Sequence, residues 1–113
     1  LNKRKTDETG TIWTMDLEGG SPKQLTNSDL GYAIAPSWSP NGLSLAFALY
    51  KAKELENPDI YTISSDGDKL MQHTTNKSHD FAPYWSGDNY IYFTSDRGGK
   101  KGEYQIFRFK VVE

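Results

Sequence analysis

Trp38 returns at Trp85, and the residues around them return with them. Ala35-Pro36-Ser37-Trp38-Ser39-Pro40-Asn41-Gly42 leads into the apolar run Leu43–Phe47, and Ala82-Pro83-Tyr84-Trp85-Ser86-Gly87-Asp88-Asn89 leads into Tyr90–Phe93. The second copy is one residue shorter in its turn. Two more elements recur in phase. Ile12-Trp13-Thr14-Met15 comes back as Ile60-Tyr61-Thr62-Ile63 and again as Ile106-Phe107-Arg108-Phe109, and Lys23-Gln24-Leu25-Thr26 comes back as Met71-Gln72-His73-Thr74. A fixed period in the forties restricts the chain to a repeat architecture, in which no unit buries its apolar face alone.

Each repeat reads as four short antiparallel strands, a to d. Strand a carries the Trp (Pro36–Ser39; Ala82–Ser86). Strand b is an alternating run (Leu43–Tyr50; Tyr90–Ser95) after a Pro-Asn-Gly or Gly-Asp-Asn turn. Leu43, Leu45, Phe47 and Leu49 share one face of the first b strand, and Ser44, Ala46, Ala48 and Tyr50 share the other. Neither face is charged, so both are expected to be covered. Strand c is Thr11–Leu17, Asp59–Ser65 and Tyr104–Lys110. Strand d is Lys23–Thr26 and Lys69–Thr75, reached from c through Glu18-Gly19-Gly20-Ser21 or Asp66-Gly67. Residues 1–10, Asn27–Ile34, Lys51–Pro58, Asn76–Phe81 and Asp96–Gly102 read as connections, with Lys51–Pro58 a polar loop rather than a short helix at Ala52–Leu55.

The fold class is therefore all-β: β-propeller blades of four antiparallel strands, about two and a quarter blades, an incomplete ring. As domains, residues 1–113 form one propeller segment, with strands c-d in 11–26, a complete blade in 35–75 and strands a-b-c in 82–110. The chain of 113 residues opens without an initiator Met or a signal peptide, which reads as a mature or trimmed piece. Strand c occurs near both ends. Identical chains closing a ring head to tail would leave one c strand surplus per junction, so a segment of a longer ring is the preferred reading and self-association the other.

Composition narrows the function. With 13 basic and 15 acidic residues, nothing favours nucleic acid or an anionic membrane. No run approaches the length of a membrane span. The absence of Cys removes disulfides and thiolate metal sites.

The Ala-Pro-x-Trp-Ser-Pro-Asn-Gly pattern, followed by Asp59-Ile60-Tyr61-Thr62-Ile63-Ser64-Ser65-Asp66-Gly67 and the Gln-x-Thr element, resembles the TolB-type, WD40-like propeller repeats of bacterial envelope proteins. The second copy departs from the pattern at Ser86-Gly87-Asp88, and His73 stands where the first has Leu25. The resemblance implies a non-catalytic protein- or peptide-binding propeller outside the cytoplasm, in the periplasm. The alternative is the gating propeller of a prolyl-oligopeptidase-type peptidase whose hydrolase domain lies elsewhere.

No residue cluster reads as a catalytic or cofactor site. Ser78-His79-Asp80 has the residue types of a hydrolytic triad, but sequence neighbours do not aim at one another, and there is no nucleophile elbow. His73 and His79 lack the further ligands a metal needs. Asp66-Gly67-Asp68 is too short for a calcium loop, and Arg97–Gly102 lacks the phosphate-loop order. Asn76-Lys77-Ser78 matches a glycosylation acceptor, a triplet common by chance. No catalytic residue, metal or cofactor is expected. Trp38 and Trp85 read as core aromatics between blades. What remains is the face carrying the longer b–c and d–a connections, where mixed charge suits a protein partner. Tyr32, His79, Asp80, Phe81 and Arg97 are the expected contact residues, nearest the channel.

Overall fold

The computed structural model describes residues 10–51, 54–75 and 77–112. Its nine strands form three antiparallel sheets: β1 (Trp13–Thr14) with β2 (Lys23–Gln24); β3 (Gly31–Trp38), β4 (Ser44–Lys51), β5 (Glu54–Ser64) and β6 (Met71–Gln72) in that order; and β7 (Asp80–Trp85), β8 (Tyr90–Ser95) and β9 (Gln105–Lys110). The fold is all-β and open, a run of propeller blades that does not close. The registers repeat with the sequence. Phe47 faces Tyr61 and Ala48 faces Ile60 across β4–β5, as Phe93 faces Phe107 and Thr94 faces Ile106 across β8–β9.

The recurring Ala-Pro has a structural cause. The β3–β4 register slips between Ile34 and Ser37, and the β7–β8 register slips between Phe81 and Tyr84. Ala35 and Ala82 sit inside those bulges with φ of 56° and 53°. Proline follows each of them, at a place where the ladder is interrupted and no N–H is needed. The bulge in β3 also turns the Ser37 hydroxyl toward β7, where it accepts the Trp85 N–H at 3.0 Å.

Several expected boundaries move. Lys51–Pro58 is not a loop: β5 begins at Glu54, and Lys51 pairs with Glu54 after a register shift beyond Leu49. A polar sequence pairs here because backbone ladders at a hairpin tip need no apolar side chains, and the shift lets Pro58 enter the strand without a ladder N–H. Residues 52 and 53, and with them the test of the short helix, lie outside the described residues, as do residues 1–9 and Asn76. The connection expected at Asn27–Ile34 gives way to β3 at Gly31. The d strands shrink to two residues each, because beyond them the chain is held by side chains. The Ile12 N–H donates to Thr26 Oγ1 at 2.9 Å, and the Ile60 N–H donates to Thr74 Oγ1 at the same distance. Thr74 also donates to the buried carboxylate of Asp59 (3.2 Å). Thr74→Val strands the Ile60 N–H and leaves Asp59 with the Gln72 amide alone (3.3 Å), and is expected to cost about 1–3 kcal/mol in denaturant unfolding.

Two cores separate the three sheets. Leu45, Phe47 and Leu49 of β4 point to one, with Ile12, Leu25, Ala33, Tyr61 and Ile63. Ala46 and Ala48 point to the other, with Ile60, Trp85, Ile91, Phe93 and Val111. Both faces of β4 are thus covered, as its lack of charge requires. Leu43 stands outside the strand, 63 % exposed in the turn. The two tryptophans diverge. Trp85 is buried between sheets, but Trp38 is 50 % exposed, correcting its expected place in a core. Trp85 packs against the full middle sheet, whereas the described residues on the far side of β3 offer only the short β1–β2 hairpin.

His73 follows β6, the edge strand of the middle sheet, yet its side chain turns inward. Its ring stacks on Phe109 at 5.1 Å between the second and third sheets, and its Nε2 lies 2.7 Å from Thr62 Oγ1. Burial lowers its pKa below the usual 6.5. The unfolded chain therefore takes up the proton first. Stability is full above about pH 6.5 and falls as pH drops through the lowered folded-state value. His73→Leu, which installs the residue of the first repeat, is expected to remove this component. The check is the difference in urea midpoint between the two proteins, followed from neutral to mildly acidic pH.

Candidate functional site: a cleft on the long-loop face

Strand β8 ends in Ser95, and the connection Asp96–Tyr104 then arches over the start of β7. Two buried carboxylates tie it down. Asp80 is fully buried; it accepts the Ser95 hydroxyl at 2.6 Å and an Arg97 guanidinium N–H at 2.8 Å. Arg97 also donates from Nε to Ser95 Oγ (3.1 Å), and its guanidinium lies 5.2 Å over the Phe93 ring and 5.6 Å over Phe107. A planar cation clasped on three sides has little freedom left. Asp96 accepts the backbone N–H of His79 at 2.9 Å on one oxygen and that of Gly102 at 3.3 Å on the other. These bonds, the first above all, hold its carboxyl below the ordinary range.

Between this arch and the residues that lead into β7 lies an open cleft of about 710 Å³. Lys77, Ser78 and His79 form one wall, Asp96–Gly99 and Lys101 the other, and Asn57 of β5 closes one end. With Arg97 balanced by Asp80 beneath it, Lys77 and Lys101 against Asp96 leave the cleft slightly positive, although the charges of the whole face nearly cancel.

Of the five residues expected here, His79 and Arg97 line the cleft. Asp80 lies beneath it, with no exposed surface, as the anchor of Arg97. Phe81 packs half-buried and edge-on against Tyr104, ring centroids 5.2 Å apart. Tyr32 stands apart: it sits four residues before Pro36, as His79 sits four before Pro83, and so occupies the same place one blade back, edge-on to Tyr50 at 5.8 Å. Sequence reasoning missed Ser95 and Asn57. Ser95 carried a usable signal, since it ends an alternating strand and precedes Asp-Arg. The Ser78-His79-Asp80 neighbours form no relay, because the carboxylate of Asp80 is taken by Ser95 and Arg97, and His79 Nδ1 lies 4.0 Å from Asp96 instead. Asp59, buried near Asp80, is a further carboxyl that composition did not single out. Burial pushes its pKa up, against the hydrogen bond from Thr74.

Stacked antiparallel sheets, one complete at four strands and its neighbours of two and three, with the same bulge in β3 and β7, define a β-propeller segment. The family model of the TolB beta propeller domain matches residues 4–113, and the chain belongs to that family. Among curated proteins, it is 29 % identical over 93 residues to the Tol-Pal system protein TolB of Francisella tularensis subsp. mediasiatica (strain FSC147), covering 82 % of this chain and 21 % of that protein. Of solved structures, a putative TolB from Agrobacterium tumefaciens superposes with a TM-score of 0.73 at 27 % identity, over 90 % of this chain and 34 % of the other. TolB from Acinetobacter baumannii gives 0.71 at 30 %, over 91 % and 24 %. The chain thus spans about a fifth of the length of the curated relatives it matches.

Proposed function

We propose that residues 1–113 act as one propeller segment of a non-catalytic, periplasmic TolB-type protein, and that the cleft between Lys77–His79 and Asp96–Lys101 receives part of a protein or peptide partner. One observation carries the reading. Asp80 and Ser95 clasp Arg97 from below, so a rigid scaffold presents a slightly basic opening on the face where the longer connections gather. Preset side chains lose little entropy on binding. The Tol-Pal naming of the relatives supports a protein partner and the periplasm.

The test is binding to envelope proteins of the source cell by charge-reversal variants on opposite faces. Lys101→Glu in the cleft is expected to weaken binding about tenfold or more. Lys69→Glu, beside the tight Asp66-Gly67 turn, is expected to change it less than about twofold. The reverse pattern sinks the assignment. Light scattering over a concentration series tests self-association: a discrete closed oligomer would show a ring built from copies of this chain.

A further inference from the structure

Three tight turns of the chain are closed by one arrangement. In the first, Ser39 Oγ donates to Asn41 Oδ1 (2.7 Å), the Leu43 N–H donates to the same oxygen (3.0 Å), and the Gly42 N–H donates to the Ser39 carbonyl (2.9 Å). In the second, the Ser64 hydroxyl and the Asp68 N–H donate to Asp66 Oδ1, and the Gly67 N–H donates to the Ser64 carbonyl (2.9 Å). In the third, the Tyr90 N–H donates to Asp88 Oδ1 (3.0 Å), and the Asn89 N–H donates to the Ser86 carbonyl (2.9 Å). Two of these turns therefore place a carboxylate where the first places an amide. The amide is also the one asparagine side chain in the sequence that precedes a glycine. Asn41 and Gly42 are both exposed.

We infer that Asn41 is a deamidation site which the closed turn guards, and that the fold accepts its aspartate product. In the step, the Gly42 nitrogen loses its proton and bonds to Asn41 Cγ. The amide C–N bond breaks, and ammonia leaves carrying that proton. Water then opens the cyclic imide at either carbonyl, giving aspartate or isoaspartate. Glycine favours ring closure because no Cβ shields its nitrogen. The folded turn opposes it: the Gly42 N–H is held on the Ser39 carbonyl, and two donors pin Asn41 Oδ1. Closure of the imide thus waits for the turn to open. Aspartate here repeats what Asp66 and Asp88 already do, and its bonds from Ser39 and Leu43 become charge-assisted. Isoaspartate instead adds a methylene to the main chain between Ser39 and Leu43, beside the ladder that pairs Trp38 with Leu45. Either product adds a negative charge to the tight-turn face, at the rim of a crevice that Asn41, Leu43, Lys69 and Trp85 help to line.

The full chain is incubated at mildly alkaline pH, in buffer and in denaturing urea. Peptide mapping by mass spectrometry follows the mass gain of amide to acid, and an Asp-specific protease separates aspartate from isoaspartate. In urea, Asn41 is expected to convert before any other asparagine. In the folded chain its conversion should be about tenfold slower or more. Asn41→Asp, followed by urea titration, is expected to unfold at a midpoint equal to or above that of the parent. Equal rates in buffer and urea would overturn the guarding turn. Another asparagine converting first in urea would overturn the site, and a lower midpoint for Asn41→Asp would overturn the accepted product.

Discussion

Trp85→Ala is expected to lower the unfolding free energy by about 3–5 kcal/mol, and Trp38→Ala by less than about 1 kcal/mol. The two residues hold the same place in the repeat, so propensity, turn chemistry and strand position are nearly matched. The difference lies in what covers them. Trp85 is 6 % exposed among Ala46, Ala48, Ile60 and Ile91, and its indole N–H donates to Asn89 Oδ1 at 2.9 Å. Truncation opens a cavity between two rigid sheets and leaves that acceptor without its donor. Trp38 is half in water already. Paired urea titrations of the two variants decide the matter, and equal losses would contradict the packing described.

Asp80→Ala is expected to cost about 2–4 kcal/mol. The carboxylate is wholly buried and takes one hydrogen bond from Ser95 and one from Arg97. Removing it leaves the guanidinium without its counter-charge. The upper end of the range for buried pairs is discounted because the Arg97 side chain is about a third exposed (32 %), where water screens part of the charge. Arg97→Met keeps the stem over Phe93 and Phe107 but drops the charge, and leaves the buried Asp80 with the Ser95 hydroxyl alone of the two bonds. Asp80→Asn, which retains an acceptor for Ser95, should fall between wild type and Asp80→Ala. If Asp80→Asn and Asp80→Ala were indistinguishable, the clasp would not be the source of the stability.

The blade plan was legible because period-2 alternation and turn chemistry agree in each repeat. Ser39, Asn41 and Gly42 build the a–b turn through their own side chains and backbone: Ser39 Oγ bonds Asn41 Oδ1 at 2.7 Å, and Gly42 has φ 75°. In the shorter copy Asn89 takes the left-handed position, with φ 66°. The extension of β5 back to Glu54 was not legible, since a charged hairpin tip has the composition of a loop. Nor was the exposure of Trp38, because a repeat position predicts burial only when the neighbouring blade is there to cover it. At the site, His79 and Arg97 were readable from their place after a d strand and a b strand. The burial of Asp80 was not, because a carboxylate in a connection carries no mark of the Ser95–Arg97 clasp that takes it out of solvent.

Strand β4 serves two cores with alternate residues, Leu45, Phe47 and Leu49 to one and Ala46 and Ala48 to the other. It is a party wall, and neither room stands without it. A nearest-neighbour chain of such units melts inward from its ends. Hydrogen exchange should accordingly rank the amides of β4 and β5 slowest, those of β7 and β8 next, and those of the β1–β2 hairpin and the rim of β9 fastest. Damage to the wall would then release both flanks together rather than one at a time.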